Sequence, residues 1–259
     1  MNKWFVTVLA ICWLPITAQA GSQAGGEAHF APEQIIALAK NVEKTLAAKG
    51  ARVAIVARMG RPPSELPEGI HYTHAGFAVY SQISTADGRT VPGYAMYNLY
   101  QNDEKPDRSR LVQDFPVDFF AGAQVLEAGV LIPSPELQKR LLERIGTPAY
   151  QALHEPRYSA IANPYTLERE NCTEFVLDVI VSAIYQTNDI HFIKRAEKAY
   201  FEAQPVNVSP LKLMLGSMFS AEITTSDHPG APVTATFETI ARYLQKYDEH
   251  VELLSLTVE

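Results

Sequence analysis

A single cysteine that follows a helix-start signal is the residue best placed for covalent chemistry. Asn171 precedes Cys172, and a strongly apolar run continues from there to about Tyr185. Asparagine is a good N-cap residue, so the pattern predicts a helix over about 172–185 with Cys172 in its first turn. Unpaired backbone N–H groups and the positive end of the helix dipole converge at such a position. Both favour the thiolate, which is the nucleophilic form of cysteine.

The dipole of that helix does not activate the thiol unaided. It contributes roughly 0.3–1 kcal/mol, which is less than one pKa unit, against an ordinary thiol pKa of about 8.5. A neighbouring imidazolium has to supply the rest, and His74 is the candidate because it begins an apolar segment typical of a strand. Gly76, on the same strand face, leaves space in which we expect the cysteine helix to approach. The rival histidine, His71, lies in the loop before that strand.

Taken together, the two motifs resemble those of the circularly permuted papain-like superfamily. Thr73–Tyr80 contains His-x-Gly followed by an aromatic residue, and Asn-Cys-x-x-Phe-Val follows about a hundred residues later. This order is the reverse of that in NlpC-type peptidases and is similar to lecithin:retinol acyltransferase and bacterial YiiX-like proteins. The resemblance covers about residues 50–190. The whole chain also resembles the bacterial domain-of-unknown-function family 2145, and that likeness names no reaction.

The resemblance implies a fold and a set of catalytic residues. The expected fold class is α+β, a permuted papain-like fold whose antiparallel sheet packs against the helix carrying the cysteine at its N-terminus. Cys172 is then the nucleophile and His74 the base, with a third polar residue on the following strand to orient the imidazole. Asn98 is the candidate because it is the polar side chain in the middle of Gly93–Gln101. An ordinary polar residue on an exposed sheet face is an equally good interpretation of Asn98.

Other polar residues near the cysteine in sequence are candidates for binding substrate. The backbone N–H of Cys172 would form part of an oxyanion hole, and Tyr158, Asn163 and Asn171 are candidates to line the cleft. Asp227-His228 either forms a lid or, as we prefer, a turn capped locally by the aspartate. The two histidines without a motif around them, His154 and His191, are interpreted as surface residues.

Hydrophobic periodicity predicts the elements that must position these side chains. A polar stretch over 102–110 separates two groups of strands. The predicted helices cover 31–49, 134–146, a short segment from 147, 172–185, 190–203, 211–219 and 237–247. The predicted strands cover 52–58, 71–84, 91–101, 126–132, 158–162 and the C-terminal segment.

Charge and motif content exclude several function classes. With 22 basic and 29 acidic residues the formal net charge is −7, which argues against nucleic acid as a partner because phosphate binding needs a basic surface. The sequence contains no C-x-x-C or H-x-x-x-H spacing for a metal, and no P-loop, dinucleotide fingerprint or G-x-S-x-G motif. We therefore expect neither a metal nor a cofactor.

The first residues have the pattern of a Sec-type signal peptide. Lys3 precedes an apolar run over 4–16, and Ala18-Gln19-Ala20 fits the small-x-small rule for cleavage after Ala20. We therefore expect a signal peptide at 1–20, a flexible N-terminus at 21–30, and a single papain-like domain with a C-terminal helical extension at 31–259. The mature protein is expected in the periplasm or outside the cell, with no transmembrane segment. Cleavage would also remove Cys12 and leave Cys172 without a disulfide partner.

The expected function is that of an exported cysteine hydrolase or acyltransferase. It would act on an amide or ester bond of a small molecule, cell-wall peptide or lipid through a thioester on Cys172. The alternative is a non-catalytic binding or structural module that retains the papain-like fold, and the absence of a histidine or acid at the third position favours it. The retention of an oxidisable thiol together with His74 favours the enzyme.

Overall fold

A six-stranded antiparallel sheet forms the centre of the computed structural model, which describes residues 28–85, 87–207 and 223–258. The signal-peptide prediction and the predicted helix over 211–219 lie outside these residues, as does most of the predicted flexible segment. The sheet has the order β4-β3-β2-β1-β5-β8, and a separate pair joins β6 to β7. The strands are β1 Val53–Arg58, β2 His74–Ser84, β3 Thr90–Gln101, β4 Ser109–Asp114, β5 Glu127–Ile132, β6 Gln204–Pro205, β7 Val233–Thr234 and β8 Glu252–Thr257.

Helices cover both faces of this sheet, so the predicted α+β class with an antiparallel sheet is confirmed. None of the helices in the described part of the chain is both long and apolar enough to cross a bilayer. The helices are α1 Pro32–Ala48, α2 Pro116–Ala121, α3 Pro135–Leu142, α4 Pro148–Ala152, α5 Cys172–Tyr185, α6 Ile190–Tyr200 and α7 Phe237–Tyr247, with a 3₁₀ turn at Pro63–Glu65.

The alternation of side chains along β2 shows which helix covers which face. Ala75, Phe77 and Val79 belong to the core cluster that contains α5, whereas Ala78 belongs to the cluster that contains α1 and α2. Because successive strand residues point to opposite faces, His74 and Gly76 share the face of Ala78. The central strand β1 is buried at all six positions, which explains its nearly continuous apolar sequence.

A buried ion cluster joins α6 to α5. The Lys194 Nζ lies 2.8 Å from Glu174 Oε1, 2.7 Å from Asp178 Oδ1 and 3.2 Å from Glu197 Oε2. The lysine side chain is 8% exposed and its three partners at most 2%. Since an uncompensated charge in such a place is costly, this cluster holds the two helices in one relative position.

Two stretches of the chain differ from the sequence prediction. Ser109–Asp114 and Pro116–Ala121 form β4 and α2, neither of which was predicted. The predicted strand over 158–162 is wrong, because this segment makes a single parallel bridge between Tyr158 and Glu170 and then turns. Both errors concern short segments whose structure depends on partners distant in sequence.

Candidate functional site

Cys172 is the first residue of α5, as the sequence predicts, and Asn171 caps the helix. The Asn171 Oδ1 accepts hydrogen bonds from the Glu174 N–H at 2.9 Å and the Thr173 hydroxyl at 2.8 Å. Its Nδ2 donates to the Thr234 hydroxyl oxygen at 3.0 Å. The Asn171 amide, which is 2% exposed, therefore fixes the start of α5 against β7. The substrate-binding role assigned to Asn171 from the sequence stays a prediction.

The thiol of Cys172 lies against the backbone that leads into β2. Its Sγ is 3.7 Å from the Thr73 carbonyl oxygen, and the residue is 5% exposed. Burial raises the pKa of the thiol, although the Ala75 N–H and the charge of Arg58 act in the opposite direction. The resting form is therefore the neutral thiol, and the helix dipole does not overcome the desolvation of a thiolate.

The imidazole of His74 lies between two aromatic rings on the α2 side of the sheet. It stacks on Tyr100 with ring centroids 4.7 Å apart and an interplanar angle of 14°, and Phe119 lies 5.4 Å away. Burial lowers the pKa of His74 well below its ordinary value, and the charge of Arg58 lowers it further, while the Asn98 amide raises it. The resting imidazole is therefore neutral, which is the form that accepts a proton.

Asn98 faces the imidazole across the β2–β3 pair, and a hydrogen bond to Asp114 holds it there. Nε2 of His74 and Oδ1 of Asn98 are both buried without a hydrogen bond of regular geometry, yet the Asn98 amide acts on the pKa of His74. The Asn98 Nδ2 donates to Asp114 Oδ1 at 2.8 Å, and the Tyr100 hydroxyl donates to Asp114 Oδ2 at 2.9 Å. Asp114 thereby positions both neighbours of the imidazole.

Gly76 leaves space for the side chain of Asn98. The expectation that Gly76 lets the cysteine helix approach closely is wrong. A Cβ at Gly76 would collide with Asn98 Oδ1. The helix α5 packs on the other face of β2, so Gly76 leaves it no additional space. The interpretation of Asn98 as an exposed sheet residue is also wrong, because Asn98 is 1% exposed.

The thiol and the imidazole lie on different sides of the same stretch of backbone. Cys172 packs in the core cluster on the α5 face, whereas His74 contacts Phe119 of the cluster on the α2 face. No hydrogen bond joins the two side chains within the described residues. The structure thus brings His74 and Asn98 together and places Cys172 at the backbone beside His74.

Arg58 is a buried charge at this site that the sequence interpretation missed. It ends β1 directly opposite His74 in the strand register and is 2% exposed. Its guanidinium lies 5.6 Å over the Phe119 ring, in space that the absent side chain of Gly122 leaves open, and its Nε has no partner in the described structure. A charged residue at the end of an otherwise apolar six-residue strand is the signal that marks it.

Tyr158 and Asn163, the other predicted cleft residues, lie in the loop before α5. Tyr158 is 8% exposed, and its N–H donates to the Asp107 carbonyl at 2.8 Å. Asn163 makes two hydrogen bonds to the turn that contains Asp227. Its backbone N–H donates to Asp227 Oδ2 at 2.9 Å, and its Nδ2 donates to the Asp227 carbonyl at 3.1 Å. The Asp227 carboxylate thus anchors the turn to another loop, in contrast to the local capping that the sequence suggested. A substrate-binding role for Tyr158 and Asn163 stays a prediction.

His154 and His191 have different surroundings. His191 is exposed. The surface interpretation of His154 is wrong, because it is half-buried with Nε2 2.9 Å from the Ser109 hydroxyl, and burial lowers its pKa. Among residues 28–85, 87–207 and 223–258 no three His, Cys, Asp or Glu side chains are grouped so as to hold a metal ion.

Comparison with known protein families assigns most of the chain to one of them. The family described as "Uncharacterized protein conserved in bacteria (DUF2145)" matches residues 45–244. The chain belongs to this family. No curated protein and no solved structure matches the chain. The matched range of this DUF2145 chain contains Arg58, His74, Asn98, Asp114 and Cys172.

The arrangement in this DUF2145 protein places three buried groups of different chemistry close to one another. A neutral thiol, a neutral imidazole and a buried guanidinium lie around the strand ends of β1 and β2. Desolvation opposes a preformed thiolate–imidazolium pair, because it raises the pKa of Cys172 and lowers that of His74. Both groups are therefore neutral at rest.

Proposed function

We propose that this protein is a cysteine hydrolase or acyltransferase of permuted papain-like fold, with Cys172 as nucleophile and His74 as base. The observation that carries the proposal is the position of Cys172 in the first turn of α5, against the backbone that begins the His74 strand. The line from His74 through Asn98 to Asp114 adds support, since a base needs a partner that orients it.

In the proposed reaction, Sγ attacks the carbonyl carbon of an amide or ester as the neutral imidazole takes the thiol proton. The negative charge that develops on the carbonyl oxygen faces the unpaired N–H groups at the start of α5. The C–N or C–O bond then breaks, His74 returns the proton to the leaving amine or alcohol, and a thioester remains on Cys172. Water or another acceptor attacks this thioester, with His74 again as base.

Proton transfer requires the imidazole to approach the sulfur. In the described conformation His74 stacks on Tyr100 on the α2 face while Cys172 packs on the α5 face, so the proposed reaction requires a conformation in which both groups reach the same side of the β2 backbone. Arg58 acts on both groups, because its charge favours the thiolate of Cys172 and the neutral form of His74. We therefore propose that Arg58 stabilises the thiolate as it forms.

Substrate class and location follow from the same proposal. The resemblance to NlpC-type peptidases and to lecithin:retinol acyltransferase supports two classes of substrate, namely cell-wall peptide amides and lipid esters or amides. The signal-peptide pattern over 1–20 supports export to the periplasm or beyond, where a bacterial protein meets both classes.

A non-catalytic binding or structural module is the second candidate. The separation of the thiol and the imidazole across the β2 backbone favours it, as does their burial, since each residue is 5% exposed. In that case Cys172 and His74 serve as packing residues, and neither depends on the other for its reactivity.

Alkylation of Cys172 distinguishes the two candidates. We expect iodoacetamide to label the wild type at neutral pH about 10²–10⁴ times faster than His74→Gln, because general-base assistance contributes that factor. The matched control is His71→Gln, which removes an exposed histidine near the same strand and should leave the rate unchanged. Circular dichroism establishes that each variant is folded.

Mass spectrometry after incubation with p-nitrophenyl acetate provides the second measurement. An acetyl adduct on Cys172 in the wild type, absent from His74→Gln and from Cys172→Ser, is the expected result. Equal alkylation rates in folded wild type and His74→Gln, with no adduct, would give the binding-module candidate the lead.

A further inference from the structure

An open cavity of about 360 Å³ lies at the end of α5 opposite Cys172. Its lining includes Tyr185, Tyr200, Tyr243 and Tyr247. At about 1.5 Å per residue, the length of α5 places this cavity roughly 20 Å from the thiol. The cavity is therefore separate from the candidate catalytic site.

Three helices end at this cavity, and each ends in a tyrosine. Tyr185 is the last residue of α5, Tyr200 of α6 and Tyr247 of α7. The last carbonyl groups of a helix lack intrahelical partners and carry the negative end of the helix dipole. Three such ends at one cavity produce a potential that attracts positive charge.

The tyrosine rings form a concave surface. Tyr200 and Tyr247 have ring centroids 6.3 Å apart at 79°, and Tyr243 and Tyr247 have centroids 5.1 Å apart at 58°. Tyr185, Tyr200 and Tyr247 are 39%, 52% and 47% exposed, so their rings are accessible to a ligand. Inclined rings offer several faces to a compact, rounded group, in contrast to the flat platform on which a sugar stacks.

Among the charged side chains that line the cavity, the two acidic ones, Glu136 and Asp248, outnumber the basic one, Arg140. The Arg140 guanidinium donates to Glu136 Oε1 at 3.0 Å and to the Ile184 carbonyl at 3.0 Å, which offsets its charge. The Asp248 carboxylate accepts the Ser134 N–H at 2.8 Å, at the mouth of the cavity. The positive dipole end at the start of α3 is thus balanced by the carboxylates of Glu136 and Asp248.

One tyrosine of this cavity already has an ammonium group against its ring. Lys246 Nζ lies 5.1 Å from the centroid of the Tyr247 ring. Attraction between a cation and the face of an aromatic ring is strongest when several rings surround the cation and exclude water.

We propose that this cavity binds a compact organic cation, namely an alkylated ammonium group held by the faces of the tyrosine rings. The negative dipole ends of α5, α6 and α7, together with the Asp248 carboxylate, supply the complementary negative charge. This site is independent of the proposed reaction at Cys172.

The test compares choline with 3,3-dimethylbutan-1-ol, which has the same shape and no charge. Binding to the full protein is followed by NMR titration of the tyrosine ring resonances. We expect choline to bind at least about tenfold more tightly than the neutral compound. Tyr247→Ala should weaken choline binding about tenfold, whereas Tyr247→Phe should keep it within about threefold, because the ring face is retained.

Two matched controls test where choline binds and whether it depends on the thiol. Tyr80→Ala removes an exposed tyrosine of β2, outside the cavity, and should leave choline binding unchanged. Cys172→Ser should also leave it unchanged, so failure of the catalytic proposal does not affect this measurement. Equal affinity for the neutral compound, no binding of choline, or binding of glucose in place of choline would each overturn the proposal.

Discussion

The two ends of α5 lie in opposite environments, one buried in the core and the other at the protein surface. At the N-terminal end, Cys172 and the neighbouring His74 are each 5% exposed and surrounded by core side chains. At the C-terminal end, Tyr185 is 39% exposed and borders an open cavity. The same helix therefore has its positive end against an enclosed thiol and its negative end against a surface that solvent and ligands reach.

This difference shows how burial and the helix dipole compare in strength. The dipole contributes at most about 1–2 kcal/mol near a helix end. At Cys172, burial outweighs it and the pKa of the thiol is raised. At the tyrosine cavity the groups stay partly hydrated, so a small electrostatic preference for cations is not cancelled by desolvation. A helix end is thus more effective for binding a charge at a surface than for creating one in a core.

Lys194→Met has the largest expected effect, because Lys194 holds the N-terminal half of α5 to α6. Removing the cation leaves Glu174 and Asp178 buried without compensation, which should lower the free energy of unfolding by about 3–5 kcal/mol. Urea denaturation is the measurement, and Lys198→Met, an exposed residue of α6, is the control. If both variants unfold at the same urea concentration, the ion cluster does not fix α5.

Gly76→Ala should affect only the enclosed end of the helix. The added Cβ collides with Asn98 Oδ1 and forces the amide away from His74, at a cost of about 1–3 kcal/mol. Choline binding at the tyrosine cavity should stay the same. Gly230→Ala is the matched control, since nothing lies within 4 Å of the Cβ that it adds. Equal stability of the two variants would contradict the position assigned to Asn98.

The smallest expected effect concerns the pH dependence of stability, which should reflect the burial of Asp114. Burial raises the pKa of Asp114 to about 7, from 3.8. Between these values the folded protein holds a proton that the unfolded chain releases. Raising the pH therefore lowers stability, by up to about 1.4 kcal/mol per pH unit, until the folded pKa is passed.

Burial of His74 has the opposite sign and partly masks this effect. Its folded pKa lies well below 6.5, so the unfolded chain binds the extra proton and stability rises as the pH approaches 6.5. Asp114→Asn should remove the falling contribution, so that stability measured by urea denaturation rises more steeply between about pH 4 and 7. An unchanged slope in the variant would show that Asp114 titrates normally.

Local signals are sufficient to predict the position of Cys172 in the fold. Asn171 as N-cap and the apolar run after Cys172 predict α5 correctly, because both depend on neighbours within one or two helical turns. The Asp87-Gly88 dipeptide, which lies between the predicted strands at 71–84 and 91–101, is a turn signal and likewise predicts the β2–β3 hairpin. The Asn98 assignment came from the family resemblance, and the structure does place this amide against His74.

Contacts between distant strands account for what the sequence interpretation missed. Arg58 and Asp114 both lie near His74 because the register of four strands brings them there, and no local pattern records that register. The strand β4 and the half-buried position of His154 depend on similar distant partners. One error was avoidable, since the large apolar residues Phe77 and Val79 already indicate which face of β2 the helix α5 covers.

The strand β8 gives the chain a particular order of assembly. It pairs Glu127 of β5 with Thr257, and Lys49, the C-cap residue of α1, contacts Glu252 at the other end of the strand. During synthesis the outer edge of β5 therefore stays unpaired until Glu252–Thr257 has left the ribosome. An unpaired edge of this kind associates with other chains. Truncation just before residue 252 should consequently produce a protein that aggregates, even though every residue of the candidate catalytic site is present.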